Sequence, residues 1–483
     1  MAAKPNILLF IPDAMQARTV LPGSPCLTPN MDRLAARGVS FRRAYCATPT
    51  CSPSRASLMT GLLPHNHGVL EVEHVRDYDQ CVLRTDKPHF AQRLAGAGYG
   101  TGYFGKWHVE RTNQVEHFGW QVNGVKSAEH VKNLGKGDAG SEPVDPARSR
   151  WVEGPVPGYN RVLHYGVTEV PVKDRYPHYT IDQAIDFLDD HRKNGGGDPW
   201  CCCVSFSEPN EALVVSRETI DRYDLDTIDL PANRTDDHSG KPALYRRQKE
   251  ISREVSDDEW RMARACYYGR ITELDLQLGR LIDWLAESKQ LDNTIIVVTS
   301  DHGRYVGAHG FDAHNCGAYE EIYRIPMIVA GPGIAQGAES QALVQFPDLG
   351  PTLIELAGAE PIETLDFRSF AEALRKSEAA DAFQTAYAEY HGTRFPLCQR
   401  ILWEGDWKFV FNGFDYDELY DLKNDPGELT NLAALPEHRE RVDRMMAGIW
   451  KRVRDSGDRT ILESHYYSMR FASVGPNIPA SNP

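Results

Sequence analysis

Short apolar runs in this chain alternate with segments of helical period, and that alternation limits the fold more than any other feature. Residues 7–10 are continuously apolar and lead to Pro12-Asp13. Residues 200–206, which include Cys201-Cys202-Cys203, form a second run. Residues 295–298 form a third, which passes into Ser300-Asp301-His302-Gly303. Residues 325–330 form a fourth, closed by Gly331-Pro332-Gly333. Between them, Ile271, Leu274, Leu278, Leu281, Ile282 and Leu285 recur at helical spacing across 262–287. Shorter helical patterns cover 90–97 and 348–357, and Thr28-Pro29-Asn30 reads as a helix start. Strands without a polar face, separated by helices, are the pattern of a sheet covered on both sides. The expected class is therefore α/β: a large, mostly parallel sheet flanked by helices. Such sheets hold ligands beyond the carboxyl ends of their strands. Asp13 and the Asp301-His302 pair fall at such ends.

The pattern changes along the chain. The stretch at about 120–180 is rich in Gly, Pro and charge, and is expected to form a surface insertion or lid. Residues 230–258 are also polar. From about 375, residues 387–390, 400–403 and 408–411 look like meander strands. Residues 438–453 follow as an amphipathic helix, with Val442, Met445, Met446, Ile449 and Val453 on one face. The expected division is a larger α/β domain over 1–375 and a smaller α+β subdomain with an antiparallel sheet over 376–483. The tail after about 460 has no helical period and suits packing on the chain itself or contacts in a homo-oligomer.

Composition narrows the partners. With 53 basic and 68 acidic residues the 483-residue chain carries a net charge of −15, which repels nucleic acid and anionic membranes. No window approaches a membrane span, and the first apolar run is too short for a secretory core. Ten cysteines are too sparse for a disulfide scaffold. The expectation is a cytoplasmic protein with reduced thiols and with neither nucleic acid nor membrane as partner.

Cys51 is the exception among those thiols. Pro53 cannot open an interior strand, so Cys51 is expected just before a helix start, where the helix N-terminus and Arg55 would favour a thiolate. Asp13, Asp301 and His302 at one sheet edge suit a hard divalent cation, for which sulfur is a poor partner.

The segment Cys51-Ser52-Pro53-Ser54-Arg55-Ala56-Ser57-Leu58-Met59-Thr60-Gly61 resembles the sulfatase signature. Cys51, Pro53, Ser54, Arg55, Thr60 and Gly61 match, and Met59 stands at a Leu position. Pro5-Asn6-Ile7-Leu8-Leu9 and Thr28-Pro29-Asn30-Met31-Asp32-Arg33-Leu34 are similar to that family's opening. Gly105-Lys106-Trp107-His108 and Thr299-Ser300-Asp301-His302-Gly303 match two further motifs. Glu418-Leu419-Tyr420-Asp421-Leu422 with Asn424-Asp425-Pro426 matches its C-terminal signature. The resemblance implies an alkaline-phosphatase-like fold and conversion of Cys51 to formylglycine by a formylglycine-generating enzyme. The hydrated aldehyde would then present oxygen to a metal held by Asp13, Asp301, His302 and residue 51. One diol oxygen would attack a small anionic sulfate ester, giving a covalent sulfated intermediate. In this reading His108 is the base that expels sulfate, Lys106 holds a sulfate oxygen and the diol, and Arg55 fixes the diol and the ion. Oxygen-rich ligation favours Ca2+, and His302 makes Mn2+ the second choice.

Three positions depart from the pattern. Ala14 stands where a second acid often follows Asp13, leaving Gln16 or water to fill the place. Phosphonate monoester hydrolases and choline sulfatases of the same superfamily also lack that acid and also use Asp-His, so His302 places the chain nearer to them. Asn210 stands where a substrate-binding His is usual; it can hydrogen-bond but cannot act as an acid. His314 lies near the usual place of a Lys, as a candidate for oxyanion binding, leaving-group protonation, or both. The readings weighed are an arylsulfatase-like enzyme, a phosphonate monoester hydrolase or phosphodiesterase with the same nucleophile, and an inactive sulfatase-like binding protein.

Overall fold

The computed structural model describes residues 4–125, 142–152, 161–210, 212–314, 316–363, 365–393, 397–462 and 467–477. Its main sheet has eight strands. In chain order they are β1 (Asn6–Asp13), β2 (Gly38–Tyr45), β3 (Gly100–Gly105), β4 (Val122–Val125), β7 (Trp200–Pro209), β9 (Thr294–Thr299), β10 (Met327–Ala330) and β11 (Ala338–Gln345). Their spatial order is β11-β2-β10-β9-β1-β7-β3-β4. Every adjacent pair is parallel except those of β10, which runs antiparallel to β9 and β2.

β1 is the central strand, buried along its whole length. Alternate residues face opposite sides of a strand, and each side has its own core. Ile7, Leu9 and Ile11 pack with Cys201 and Cys203 on one face; Leu8 and Phe10 pack with Cys202 and Val204 on the other. The triple cysteine is thus ordinary apolar filling of β7, and all ten cysteines are unpaired. The helix Asp257–Glu287 covers the second face through Leu274, Leu278, Leu281 and Leu285. It starts a turn earlier than its apolar period, because Ser256 and Glu259 form a reciprocal cap.

The stretch expected as an insertion contains regular structure where it is described. β4 extends the main sheet, and β5 (Ser149–Val152) and β6 (Val162–Thr168) join β8 (Leu213–Ser216) in a three-stranded sheet. Residues 126–141 and 153–160 of that stretch lie outside the described residues.

The C-terminal sheet is an antiparallel meander of β12 (Thr385–Tyr390), β13 (Gln399–Glu404), β14 (Trp407–Asn412) and β15 (Glu418–Asp421). The helix Arg439–Asp455 lays Val442, Met445, Met446, Ile449 and Val453 against Leu402, Phe409, Phe411 and Leu419. The described part of the tail packs on this helix, with Trp450 Nε1 donating to Val474 O at 2.8 Å. Among the described residues no helix is long and apolar enough to cross a membrane.

Candidate active site

Strand ends and one helix start converge at the carboxyl edge of the main sheet. β1 ends on Asp13, β9 leads into Asp301 and His302, β3 into Lys106, and β7 into Asn210. Lys106 leaves β3 through Gly105, whose φ is 90° and whose Cβ, if present, would lie 1.9 Å from Ser205 O. Only glycine permits that turn. The helix Cys51–Thr60 begins here and is buried throughout. Pro53 sits in its first turn, where a missing N–H is tolerated, and Gly61 at φ 66° ends it.

Cys51 Sγ lies 3.1 Å from His302 Nε2 and 3.8 Å from Asp13 Oδ1. His302 Nε2 is 3.6 Å from Asp13 Oδ1 and 3.8 Å from Asp301 Oδ1. Arg55 spans both carboxylates, with Nε donating to Asp301 Oδ2 at 2.8 Å and Nη2 to Asp13 Oδ2 at 3.4 Å. Its Nη1 donates to Ser205 Oγ at 2.7 Å. Lys106 Nζ donates to Asp13 Oδ2. Asp13, Asp301 and His302 have no exposed surface.

Charge is concentrated here. Burial opposes ionisation of Asp13, but Lys106, His302 and Arg55 outweigh it and hold the carboxyl well below its usual range. Burial likewise opposes charge on His302, yet Asp301, Cys51 and Asp13 raise its pKa to about 10. Burial and Asp13 push the Cys51 thiol up, while Lys106 and His302 bring it down to about 7. Burial disfavours the Lys106 ammonium, and Asp13 more than restores it.

This donor set fits a divalent cation. The ligand atoms of Asp13, Cys51, Asp301 and His302 all lie within 4.8 Å of one another. Gly303 O accepts from His302 Nδ1 at 2.8 Å, which leaves Nε2 as the ligating nitrogen. Sulfur is the misfit among these hard donors, and an oxygen at residue 51 would remove the mismatch. Gln16 does not fill the place left by Ala14. Its amide donates to Arg304 O, and also to Tyr305 O at 3.3 Å, which faces it away from the carboxylates. Ala14 itself, at φ 63°, is pinned by Asp301 Oδ1 on its N–H at 3.1 Å and by Tyr267 OH on its carbonyl at 2.8 Å.

His314 and Asn210 join the cluster. His314 Nδ1 donates to Pro49 O at 2.8 Å, and its ring lies tilted at 37° against that of His302, with centroids 4.0 Å apart. The remaining nitrogen, Nε2, carries the lone pair when the ring is neutral, and burial and His302 favour that neutral state. Asn210 Nδ2 lies 3.9 Å from Cys51 Sγ. His108 is placed differently: its Nε2 is 3.0 Å from Nδ1 of exposed His74 on the rim. Burial, then Lys106 and Arg55, hold its pKa well below the usual value.

Two participants are not singled out by the sequence. Arg304, which directly follows the Asp301-His302-Gly303 motif, donates to Asn210 Oδ1 at 3.3 Å. His74 lies in a polar loop without any motif, so nothing in the sequence marks it.

Comparison with known proteins follows the same lines. A sulfatase family model matches residues 5–359, and one for the C-terminal region of N-sulphoglucosamine sulphohydrolases matches 307–455. The chain is 28% identical over 446 residues to a choline-sulfatase of Rhizobium meliloti, covering 90% of this chain and 83% of that one. It is 28% identical over 481 residues to an arylsulfatase of Clostridium perfringens, covering 91% and 92%. The fold is similar to the phosphonate monoester hydrolase of Agrobacterium radiobacter, with TM-score 0.77 at 22% identity over 94% of this chain and 96% of that one. It is also similar to a protein solved in complex with its substrate D-glucosamine-2-N,6-O-disulfate, with TM-score 0.72 at 22% identity over 94% and 98%. The matched model spans well over half of the sequence and includes every residue of the buried cluster: the chain belongs to the sulfatase family.

Proposed function

We propose that this chain hydrolyses small anionic sulfate monoesters, aryl sulfates among them, with Cys51 converted to formylglycine. The observation that carries the reading is the position of Cys51 Sγ, 3.1 Å from His302 Nε2 and 3.8 Å from Asp13 Oδ1, at the start of a buried helix. Asp13, Asp301, His302 and the converted residue 51 would hold one divalent cation, Ca2+ by preference and Mn2+ as the alternative. When bound, such an ion lowers the pKa of a hydroxyl nucleophile and polarises the ester oxygens. Lys106 and the Asn210 amide hold oxyanion oxygens, and Arg55 fixes residue 51 by tying both carboxylates in place. His314 Nε2, once protonated in the presence of an anionic ester, supplies the leaving-group proton. His108 accepts the proton that must leave the nucleophile's side. In this reading the catalytic unit is residues 1–375 and the C-terminal unit 376–483.

A second reading, hydrolysis of phosphonate monoesters or phosphodiesters, is favoured by Ala14 and by the Asp301-His302 pair. Tetrahedral oxyanions of similar size call on the same donors. The test has two parts: mass spectrometry of the tryptic peptide carrying residue 51, from a host able to convert it, and parallel rates on aryl sulfate, phosphate diester and phosphonate monoester. Unmodified cysteine in that peptide removes the proposal; faster turnover of a phosphorus ester transfers it to the second reading.

A further inference from the structure

Hydrolysis of a sulfate monoester releases a proton: ROSO3− and water give ROH, SO4 2− and H+. That proton arises in a buried site and must reach solvent on every turnover. His108 Nδ1 is buried and has no hydrogen-bond partner among the described residues. The other nitrogen, Nε2, meets His74 Nδ1 at 3.0 Å, and the two rings stack with centroids 5.2 Å apart. His74 is exposed and His108 is not. Glu73 Oε1 lies 3.8 Å from His108 Nε2. The loop is held against the catalytic helix, since Ser52 Oγ accepts from Glu73 N at 3.3 Å. Arg111 fixes it from below, donating to Glu73 O and to Asp77 O at 2.9 Å. The charged groups that face His108 are Glu73 and His74 on this loop, with Lys106, Arg55 and Asp13 on the site side.

We propose that His74 and His108 form a two-imidazole path that carries the reaction's proton from the site to solvent. Neutral His108 receives a proton at Nδ1 and passes its Nε2 proton to Nδ1 of neutral His74, which releases its own Nε2 proton to water. One proton enters the pair and one leaves. Each ring then returns to its starting tautomer by turning about Cβ–Cγ and exchanging its Nδ1 proton for one on Nε2 with water, so that no proton passes back through the pair to the site. The inference rests on the sulfatase reading above.

The test uses the converted, metal-loaded enzyme and a panel of aryl and sugar sulfates, with His74→Ala, His74→Gln and His108→Ala assayed from low to high imidazole buffer. His74→Ala and His74→Gln are expected to lower kcat about tenfold at low buffer, within the range that proton transfer supplies, with KM unchanged. Added imidazole should restore both rates. If His74→Gln matches the wild type, His74 only positions His108 and the path is wrong; loss without rescue in both variants also overturns it. An inactive wild type with formylglycine at residue 51 sinks the sulfatase reading and the path together, whereas an active wild type with an inert His74→Ala sinks the path alone. A readout independent of turnover is 15N NMR of the histidine rings in protein with unconverted Cys51. His108 should show a protonated Nε2 and a bare Nδ1, and His74→Ala should shift the Nε2 resonance. A protonated Nδ1 on neutral His108 overturns the proposal.

Discussion

Arg304 Nη1 donates to Asn210 Oδ1 at 3.3 Å. A guanidinium has only donors, so it takes the oxygen end of the amide and leaves the nitrogen end toward Cys51 Sγ, 3.9 Å away. Arg304 is itself held by Asp312, to which Nη2 donates at 3.0 Å. An anionic ester beside residue 51 therefore meets an N–H and not a carbonyl. Arg304→Met is expected to raise KM about tenfold, the worth of one charge-assisted hydrogen bond, with a smaller change in kcat. Asn210→Asp should be worse, because it places a carboxylate against the anion. Steady-state kinetics on an aryl sulfate check both; an unchanged KM in Arg304→Met would show that the amide orients without it.

Arg55 is the cationic centre of the buried cluster, touching Asp301, Asp13, Ser205 and the carbonyl of Lys106. Removing it leaves two carboxylates without their shared counter-charge. Arg55→Ala is expected to lose about 3–5 kcal/mol of stability, the usual cost of orphaning a buried charge, and Arg55→Lys somewhat less. Chemical denaturation with and without added Ca2+ measures this. A bound cation should offset part of the loss in the intact site and less in Asp301→Asn, whose calcium content should also fall.

The frame of this site was legible before any coordinates. Apolar strands ending in Asp13 and in Asp301-His302 indicate a sheet edge, and side chains at the ends of adjacent parallel strands must meet there. The local motif around Cys51 places it at a helix start, which is where it lies. What the sequence could not reveal depends on contacts between distant segments. Gln16 reads as a spare ligand because only the fold brings Arg304 O and Tyr305 O to its amide. His74 reads as a loop histidine because its partner is 34 residues away and outside any period. The strands near 122 and 162 escaped notice because their segments are short and surrounded by Gly, Pro and charge, so no alternation has room to develop.

His314 separates the roles that its position allows. Its Nδ1 is committed to Pro49 O, so Nε2 alone faces the cluster. Burial and His302 keep that nitrogen unprotonated in the free protein, and the charge of an incoming anionic ester reverses the balance. An acid in this role matters most for poor leaving groups. His314→Ala is expected to slow alkyl sulfates on the order of a hundredfold or more, and aryl sulfates far less. Equal slowing of the two series would leave His314 as an oxyanion donor only.

Part of the acid sensitivity should originate beneath the helix Cys51–Thr60, at His67. This residue has no exposed surface. Val69 N donates to its Nδ1 at 3.1 Å, so Nδ1 must hold a lone pair, and its Nε2 lies 3.0 Å from Ser57 Oγ on the helix Cys51–Thr60. Burial, above all, brings its pKa down to about 3, against about 6.5 in an unfolded chain. Between those values the unfolded state binds the extra proton. The stability that neutral His67 provides is thus complete above pH about 6.5 and falls by about 1.4 kcal/mol for each unit toward pH 3. Protonation also breaks the Val69 hydrogen bond, which loosens the turn under the helix that carries residue 51. Urea midpoints taken from pH 7 to pH 4 should decline in the wild type and decline less steeply in His67→Asn, whose amide cannot titrate. If the two slopes coincide, the acid lability in this range belongs to the other buried histidines, His89 and His238, whose pKa values burial brings down to about 3 and about 4.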